Sequence, residues 1–301
     1  MSLIDYNLFG KVNKVEQSIE RLKAFEPEEG YFLAFSGGKD SIVIERLAAM
    51  AVVKYDPHYH ITTLDPPELI RFINRNYADV VRDRPTMNAW NLIVKNCMPP
   101  TRKCRYCCKV LKEEHGKGRI SVTGVRWDES NNRQANQGLF TIRGKRAQKK
   151  AQANKAIFTV PKSGGVVMNE DNSATRRTVE MCYRTSKTII NPIIDWTGED
   201  VWEFIRAEKI PYCELYDEGF DRIGCVGCPM SGDNRYKEFE RWPKIKERYI
   251  KTFDRMIEAR IDRGLATTWR SGEEVFCWWM EEAQDIGELK GQMSIFEDTE
   301  G

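Results

Sequence analysis

The sequence predicts an α/β fold, a mostly parallel sheet with flanking helices, followed by a C-terminal helical region. Three observations carry this. Short apolar runs such as 31–35 and 120–124 alternate with segments whose apolar residues recur at helical spacing, and strands that alternate with helices pair in parallel. The first such unit is strand, glycine turn, helix, with Ser36-Gly37-Gly38-Lys39-Asp40-Ser41 as the turn. From Asp233 onward the pattern is helical alone, over 236–242, 243–263 and 273–284.

Each element has a local warrant. Val12, Val15, Ile19, Leu22 and Phe25 form a 3–4 spaced stripe, which predicts an amphipathic helix before the first strand. After the helix 42–53, residues 61–64 read as a second strand ending at Asp65. Pro66-Pro67 then opens a helix over 68–77, with proline in its tolerated first-turn place. Residues 120–124 and 189–194 read as the third and fourth strands, and Thr197-Gly-Glu-Asp200 caps a helix over 201–208. Parallel sheets bind ligands at the carboxyl ends of their strands. Asp40, Asp65 and Arg126 each stand just past a strand and are expected to converge there.

Residues 142–190 differ, with eleven Lys/Arg against three Asp/Glu and little periodicity. They read as a basic insert that would lead a polyanion such as tRNA or DNA to the site. Arg143, Lys145, Arg146, Lys149 and Lys150 are the expected contacts, with Phe140, Phe158 and Tyr183 the few aromatics in or beside the segment. The expected division is an α/β domain over 1–232 carrying this insert, then a helical extension over 233–301.

The 301 residues carry a net charge of only +2, so global charge selects no partner. No run of 18 apolar residues and no leader is seen, which predicts a cytoplasmic chain without a membrane partner. Nine cysteines are many for a reducing compartment, where clustered thiols hold metals or do chemistry more often than they form disulfides. Cys97, Cys182, Cys213 and Cys277 stand apart and read as small buried hydrophobes.

Two constellations carry chemistry. In the hexapeptide, two glycines let the backbone approach a ligand, and the N–H groups opening the next helix favour an anion. Lys39 adds positive charge, and Ser36 and Ser41 add hydroxyl donors. Asp40 beside phosphates points to a bridging Mg²⁺. This is not a Walker A loop, because Leu33 replaces its first glycine and Asp40 its Ser/Thr. The second constellation is cysteine. Cys107, Cys108, Cys225 and Cys228 suit a [4Fe–4S] cluster or Zn²⁺, provided a kinked backbone turns adjacent cysteines to one side. The rival set Cys104-x-x-Cys107 with Cys225-x-x-Cys228 is spaced like a structural zinc site.

Ser-Gly-Gly-Lys-Asp-Ser resembles the PP-loop of the adenine nucleotide α-hydrolase (ATP pyrophosphatase) superfamily, a Rossmann-like domain. Further segments resemble the phosphoadenosine phosphosulfate (PAPS) reductase family. They are Cys107-Cys108-Lys109 with Lys112, Thr123-Gly124-Val125-Arg126 through Glu129-Ser130 to Arg133, and Pro192 through Trp196 to Asp200-Val201-Trp202. Leu215-Tyr216-Asp217-Glu218-Gly219 and Gly224-Cys225 to Cys228 complete the family's order over about 28–230. The resemblance implies ATP or a sulfonucleotide (PAPS or adenosine phosphosulfate, APS) held by Ser36–Ser41, Asp65, Gly124, Arg126 and Arg133. It implies Lys39, Asp40 and Arg126 as catalytic, and Cys107, Cys108, Cys225 and Cys228 on one [4Fe–4S] cluster, with Cys104 spare.

Two departures shape the expected function. The family's reductases read Asp-Thr-Gly after the second strand, where this chain has Asp65-Pro66-Pro67. They also carry a Glu-Cys-Gly-type tail whose cysteine attacks the sulfo group, whereas Cys277 is the one late cysteine here, in an apolar helical context expected to raise its pKa. The expectation is an ATP pyrophosphatase-type enzyme that adenylylates an acceptor within sulfur transfer, served by a sulfur or electron donor protein. The alternatives are a sulfonucleotide reductase using thioredoxin and a non-catalytic, nucleotide-dependent nucleic-acid-binding module.

Overall fold

A computed structural model of the chain describes residues 3–7, 10–113, 116, 118–143, 166–169 and 187–281. Along the chain these form β1 (Ile4–Asn7), β2 (Gly10–Asn13), α1 (Lys14–Ala24), β3 (Tyr31–Ala34), α2 (Lys39–Ala51), β4 (Tyr55–His60), α3 (Pro67–Asn76) and β5 (Val81–Asp83). Next come α4 (Ala89–Asn96), a single turn α5 (Tyr106–Cys108) running into a π-helical turn (Lys109–Glu113), β6 (Ile120–Val122), α6 (Asn131–Asn136), β7 (Phe140–Arg143), β8 (Val166–Met168) and β9 (Lys187–Ile190). The remainder is helical: α7 (Gly198–Ala207), α8 (Asn234–Arg241), α9 (Pro243–Asp262) and α10 (Gly272–Glu281). Among these no helix is long and apolar enough to cross a membrane.

The chain divides into two compact units, one of residues 1–61, 67–84 and 114–223, the other of 62–66, 85–113 and 224–301. The first holds a seven-stranded sheet in the order β5-β4-β3-β6-β9-β7-β8. The five strands from β5 to β9 are parallel, and β7 runs antiparallel to both β9 and β8. From β3 the chain goes to β4 and β5 on one side and to β6 and β9 on the other. The carboxyl ends of β3 and β6 therefore flank the switch point where such sheets take ligands. Tyr31, Leu33, Val122 and Ile190 in the strands and Ile42, Val43, Ile44 and Leu47 in α2 are fully buried. The stripe expected around Leu22 is α1. It is tied down by Lys14 on Asp200 at 2.7 Å and by a two-pronged Arg21–Asp195 pair at 2.9 and 2.8 Å.

The Thr197 cap is present, and it is reciprocal: the Thr197 hydroxyl accepts the Asp200 N–H at 3.2 Å, and the Asp200 carboxylate accepts the Thr197 N–H at 2.7 Å. Thr197→Ala should therefore lower unfolding free energy by about 1 kcal/mol, measured by urea denaturation.

Several boundaries differ from expectation. The strand expected over 61–64 is β4, at Tyr55–His60. Asp56, Pro57, His58 and His60 read as loop, yet β4 is only partly buried and tolerates them between β3 and β5. Thr63, at a φ of 66°, ends the extended chain beyond it. The strand expected over 189–194 is β9, which stops at Ile190, and the chain turns from Pro192. The insert is not all loop either, since β8, β9 and the second half of β7 lie within 142–190 and extend the sheet. Phe140 is no stacking platform, being fully buried with its ring 4.1 Å from that of Phe25. Lys145, Arg146, Lys149, Lys150, Phe158 and Tyr183 lie outside the described residues.

In the second unit, α9 packs on α4 and α10 around an aromatic core. The Trp279 and Tyr249 rings lie tilted with centroids 4.9 Å apart, with Trp90, Phe239 and Phe253 against them. The helices past 233 thus share one core with residues 85–113 rather than forming an appendage.

Candidate nucleotide site and cysteine centre

The β3–α2 loop is shaped by its small residues. Gly37 has a φ of +73°, and a Cβ there would meet Ile73 and Leu69 of α3 at 2.8 Å. Gly38 caps α2 without a side-chain hydrogen bond, and its carbonyl accepts the Ser41 and Ile42 N–H groups at 3.0 and 3.1 Å. Ser41 Oγ donates to Gly38 O at 2.8 Å and lies 3.2 Å from Ser36 Oγ, so the two hydroxyls flank the turn. Gly124, past β6, comes so close that a Cβ would sit 2.9 Å from the Asp40 backbone. The loops after β3 and β6 therefore meet at the switch point.

Asp40 and Arg126 converge as expected, but on each other. Arg126 Nε donates to Asp40 Oδ1 at 2.7 Å, and Nη1 to Asp128 Oδ2 at 3.3 Å and Trp196 O at 3.4 Å. The Arg126 guanidinium is 4% exposed. Glu129 accepts the Arg126 N–H at 3.1 Å and pairs with Arg133, so it orients the arginine loop. Ser130 accepts the Arg133 N–H and caps α6.

Lys39 is likewise engaged. Its backbone N–H donates to the Tyr216 hydroxyl at 2.8 Å, its Nζ donates to Asp221 O at 2.7 Å, and its ammonium lies 5.4 Å from the Tyr216 ring centre. Burial pushes the Tyr216 phenol above its usual value, so it stays neutral. Tyr216 was legible only as part of a motif, and nothing in its sequence context signalled a hydroxyl set on a loop N–H.

Asp65 belongs to the second unit with the cysteines. Its Oδ2 accepts the Thr62 N–H at 3.0 Å, and Thr62 Oγ1 bonds the Cys225 thiol at 3.4 Å. The turn Cys225-Val226-Gly227-Cys228 is held from three sides. Val226 N–H donates to Leu64 O at 2.8 Å, Tyr249 OH to Val226 O at 2.9 Å, and Gly227 N–H to Glu238 Oε2 at 2.6 Å. Gly227 has a φ of +75°, and a Cβ there would lie 2.5 Å from the Phe239 ring. Cys107 and Cys108 sit where α5 widens into the π-helical turn, the backbone irregularity that adjacent ligands require.

The Cys107 thiol is pushed up first by its hydrogen bond to Cys108, then by burial and by Cys108, Cys225 and Cys228 close by. Burial raises Cys225, and the Cys225 sulfur in turn holds the Lys112 ammonium charged. Four sulfurs thus share one neighbourhood. Cys104 N–H donates to Thr101 Oγ1 at 3.0 Å, and the Tyr106 phenol is raised by burial first and then by Cys107 and Cys104. Among the described residues no three His, Cys, Asp or Glu side chains adopt metal-holding geometry. Of the solitary thiols, Cys97 and Cys213 are buried as expected, whereas Cys277 is exposed. It lies on the outer side of α10, whose inner side carries Val275, Phe276 and Trp279. Cys182 lies outside the described residues.

Residues 30–231 match the family model described as "Phosphoadenosine phosphosulfate reductase domain". Two uncharacterised proteins of Methanocaldococcus jannaschii are 28% and 27% identical, over 228 and 259 residues, which is 75% and 79% of this chain. The chain spans less than half of either, 46% and 45%. An adenosine 5'-phosphosulfate reductase of Oceanobacillus iheyensis is 42% identical over 52 residues, 17% of this chain and 22% of that protein. A phosphoadenylyl-sulfate reductase structure from Candida auris, in a phosphate complex, superimposes with a TM-score of 0.41 at 15% identity, over 69% of this chain and 88% of that one.

Proposed function

This chain belongs to the phosphoadenosine phosphosulfate reductase domain family, and from that premise we propose that it binds an adenine nucleotide at the β3–α2 loop and attacks its α-phosphate, releasing pyrophosphate and adenylylating an acceptor within sulfur transfer. The observation that carries the reading is the Lys39-Asp40 pair in the first turn of α2, where an ammonium stands 3.9 Å from a carboxylate just past the glycine turn. Ser36, Ser41, Lys39 and the helix N–H groups would hold the phosphates. Gly124 lets the β6 loop close on them, and Arg126 and Arg133 are the nearby cations for an oxyanion.

Asp40 fits a Mg²⁺ role through Oδ2, since Arg126 holds Oδ1. A bound Mg²⁺ would neutralise phosphate charge. Cys107, Cys108, Cys225 and Cys228 would hold a [4Fe–4S] cluster, with Zn²⁺ as the alternative; the reading is supported by Cys108, Cys225 and Cys228 all acting on the Cys107 thiol. The basic segment 142–190 would bring a tRNA or DNA acceptor, and a partner protein would supply sulfur or electrons.

A second reading, sulfonucleotide reduction with thioredoxin, is favoured by the exposed Cys277 thiol. Anaerobic protein should release pyrophosphate from Mg-ATP when an acceptor is present. Sulfite release from PAPS or APS with thioredoxin, and no pyrophosphate, would replace the first reading by the second. Nucleotide binding without either product would leave a binding module.

The metal assignment has its own test. Anaerobic protein should carry iron and sulfide, retained in Cys104→Ser and lost in Cys108→Ser. The opposite pattern, with zinc and no iron, would select Cys104, Cys107, Cys225 and Cys228.

A further inference from the structure

Tyr216 ends a short 3₁₀ turn, Glu214–Tyr216, and stands 177 residues along the chain from the loop it touches. Its hydroxyl accepts the Lys39 N–H, the first of α2, at 2.8 Å. Its ring meets Trp202 edge-on with centroids 5.1 Å apart, and Gly219 N–H closes the next turn on Tyr216 O at 3.1 Å. A Cβ built on Gly38 would lie 3.4 Å from the Tyr216 hydroxyl and 3.9 Å from Ile223 O, so this segment walls the glycine turn. The segment reaches the loop again at Asp221 O, which accepts the Lys39 ammonium at 2.7 Å.

A phenol can accept and donate at once. The Tyr216 oxygen is used by Lys39, while its proton has no acceptor among the described residues. The serine hydroxyls of the turn differ. Ser36 donates to Ser41 at 3.2 Å, and Ser41 donates to Gly38 O at 2.8 Å. Tyr216 is thus the hydroxyl at this turn with a proton left to give, and burial keeps that proton in place by raising the phenol above its usual value. We propose that Tyr216 is a binding residue of the nucleotide site, its hydroxyl donating to a non-bridging phosphate oxygen while it accepts the Lys39 N–H. This rests on the nucleotide reading above. The incoming N–H polarises the phenol and strengthens it as a donor. Lys39 supplies charge through rotatable donors, whereas the fixed phenol supplies direction.

The test is calorimetry on the full chain, as wild type and Tyr216→Phe, with Mg-ATP, inorganic pyrophosphate and adenosine as probes. Tyr216→Phe should bind Mg-ATP and pyrophosphate about tenfold more weakly, the lower end for a hydrogen bond to a charged group. Adenosine, which carries no phosphate, should lose nothing. Tyr216→His, which keeps one acceptor and one donor, should recover part of the loss. Unchanged affinity for Mg-ATP and pyrophosphate in Tyr216→Phe overturns the proposal. Tighter binding also overturns it, because the hydroxyl would then only occupy an N–H that the phosphate uses. So does an equal loss for adenosine, or a Tyr216→Phe chain that fails to fold, since the hydroxyl would then serve the shape of the loop alone. A wild-type chain that binds neither Mg-ATP nor pyrophosphate sinks the nucleotide reading itself, before any variant is compared.

Discussion

Exchanging Lys39 and Asp40 together for alanine is expected to lower nucleotide turnover about a hundredfold or more, the scale of losing preorganised charge at a developing anion. Binding of Mg-ATP or a sulfonucleotide should weaken at least about tenfold, roughly 1.4 kcal/mol. The Lys39 ammonium and the Asp40 carboxylate stand 3.9 Å apart at the mouth of the loop, and neither is deeply buried, so a ligand can reach both. The same change removes the Lys39 Nζ bond to Asp221 O and the Asp40 partner of Arg126. Folding must therefore be checked by circular dichroism before affinities are compared. Calorimetry on a folded double variant with wild-type affinity would take the β3–α2 loop out of the nucleotide site.

Arg126→Ala should be the most destabilising single change at this site, by about 3 kcal/mol, the lower end for breaking a buried ion pair. The lower end applies because Asp40 and Asp128 keep 25% and 52% of their side-chain surface in water and can be rehydrated. The loss reaches further than one pair, because Arg126 links Asp40 after β3, Asp128 in the next turn and Trp196 O before α7. Arg126→Lys should recover part of the stability, since an ammonium can serve Asp40 but lacks the fork that reaches three acceptors at once. Denaturant midpoints of the three proteins decide it. Equal midpoints for wild type and Arg126→Ala would mean that this arginine is held only for a ligand.

The role of Arg126 shows where sequence reasoning reaches its limit. Its position after a strand, beside a glycine, marked it as a site residue. That it is closed on Asp40 could not be read, because residues 86 apart meet only when β3 and β6 become neighbours in the sheet. The glycine turn and its helix were legible because their causes are local: two adjacent glycines, a helical stripe and an apolar run. Strand β4 was not, because its polar residues are acceptable only between two flanking strands, which a one-dimensional pattern does not contain.

The cysteine centre divides in the same way. The sequence by itself determined the two cysteine segments, the need for a kink at Cys107-Cys108 and the separation of Cys97 and Cys213 as buried hydrophobes. It also held an overlooked signal: Arg235, Glu238, Phe239 and Trp242 recur at 3–4 spacing, which puts two charges on a buried stripe. Only the tertiary structure decided that residues past 233 share a core with 85–113, that Cys277 is exposed, and that the buried Arg235 guanidinium lies over the Trp279 ring. The physical reason is common to all three. Local patterns fix what a segment can become through backbone sterics and the period of apolar residues. Which side chains lose their water, and which charges must then answer one another, depends on partners that the local pattern of the chain does not contain.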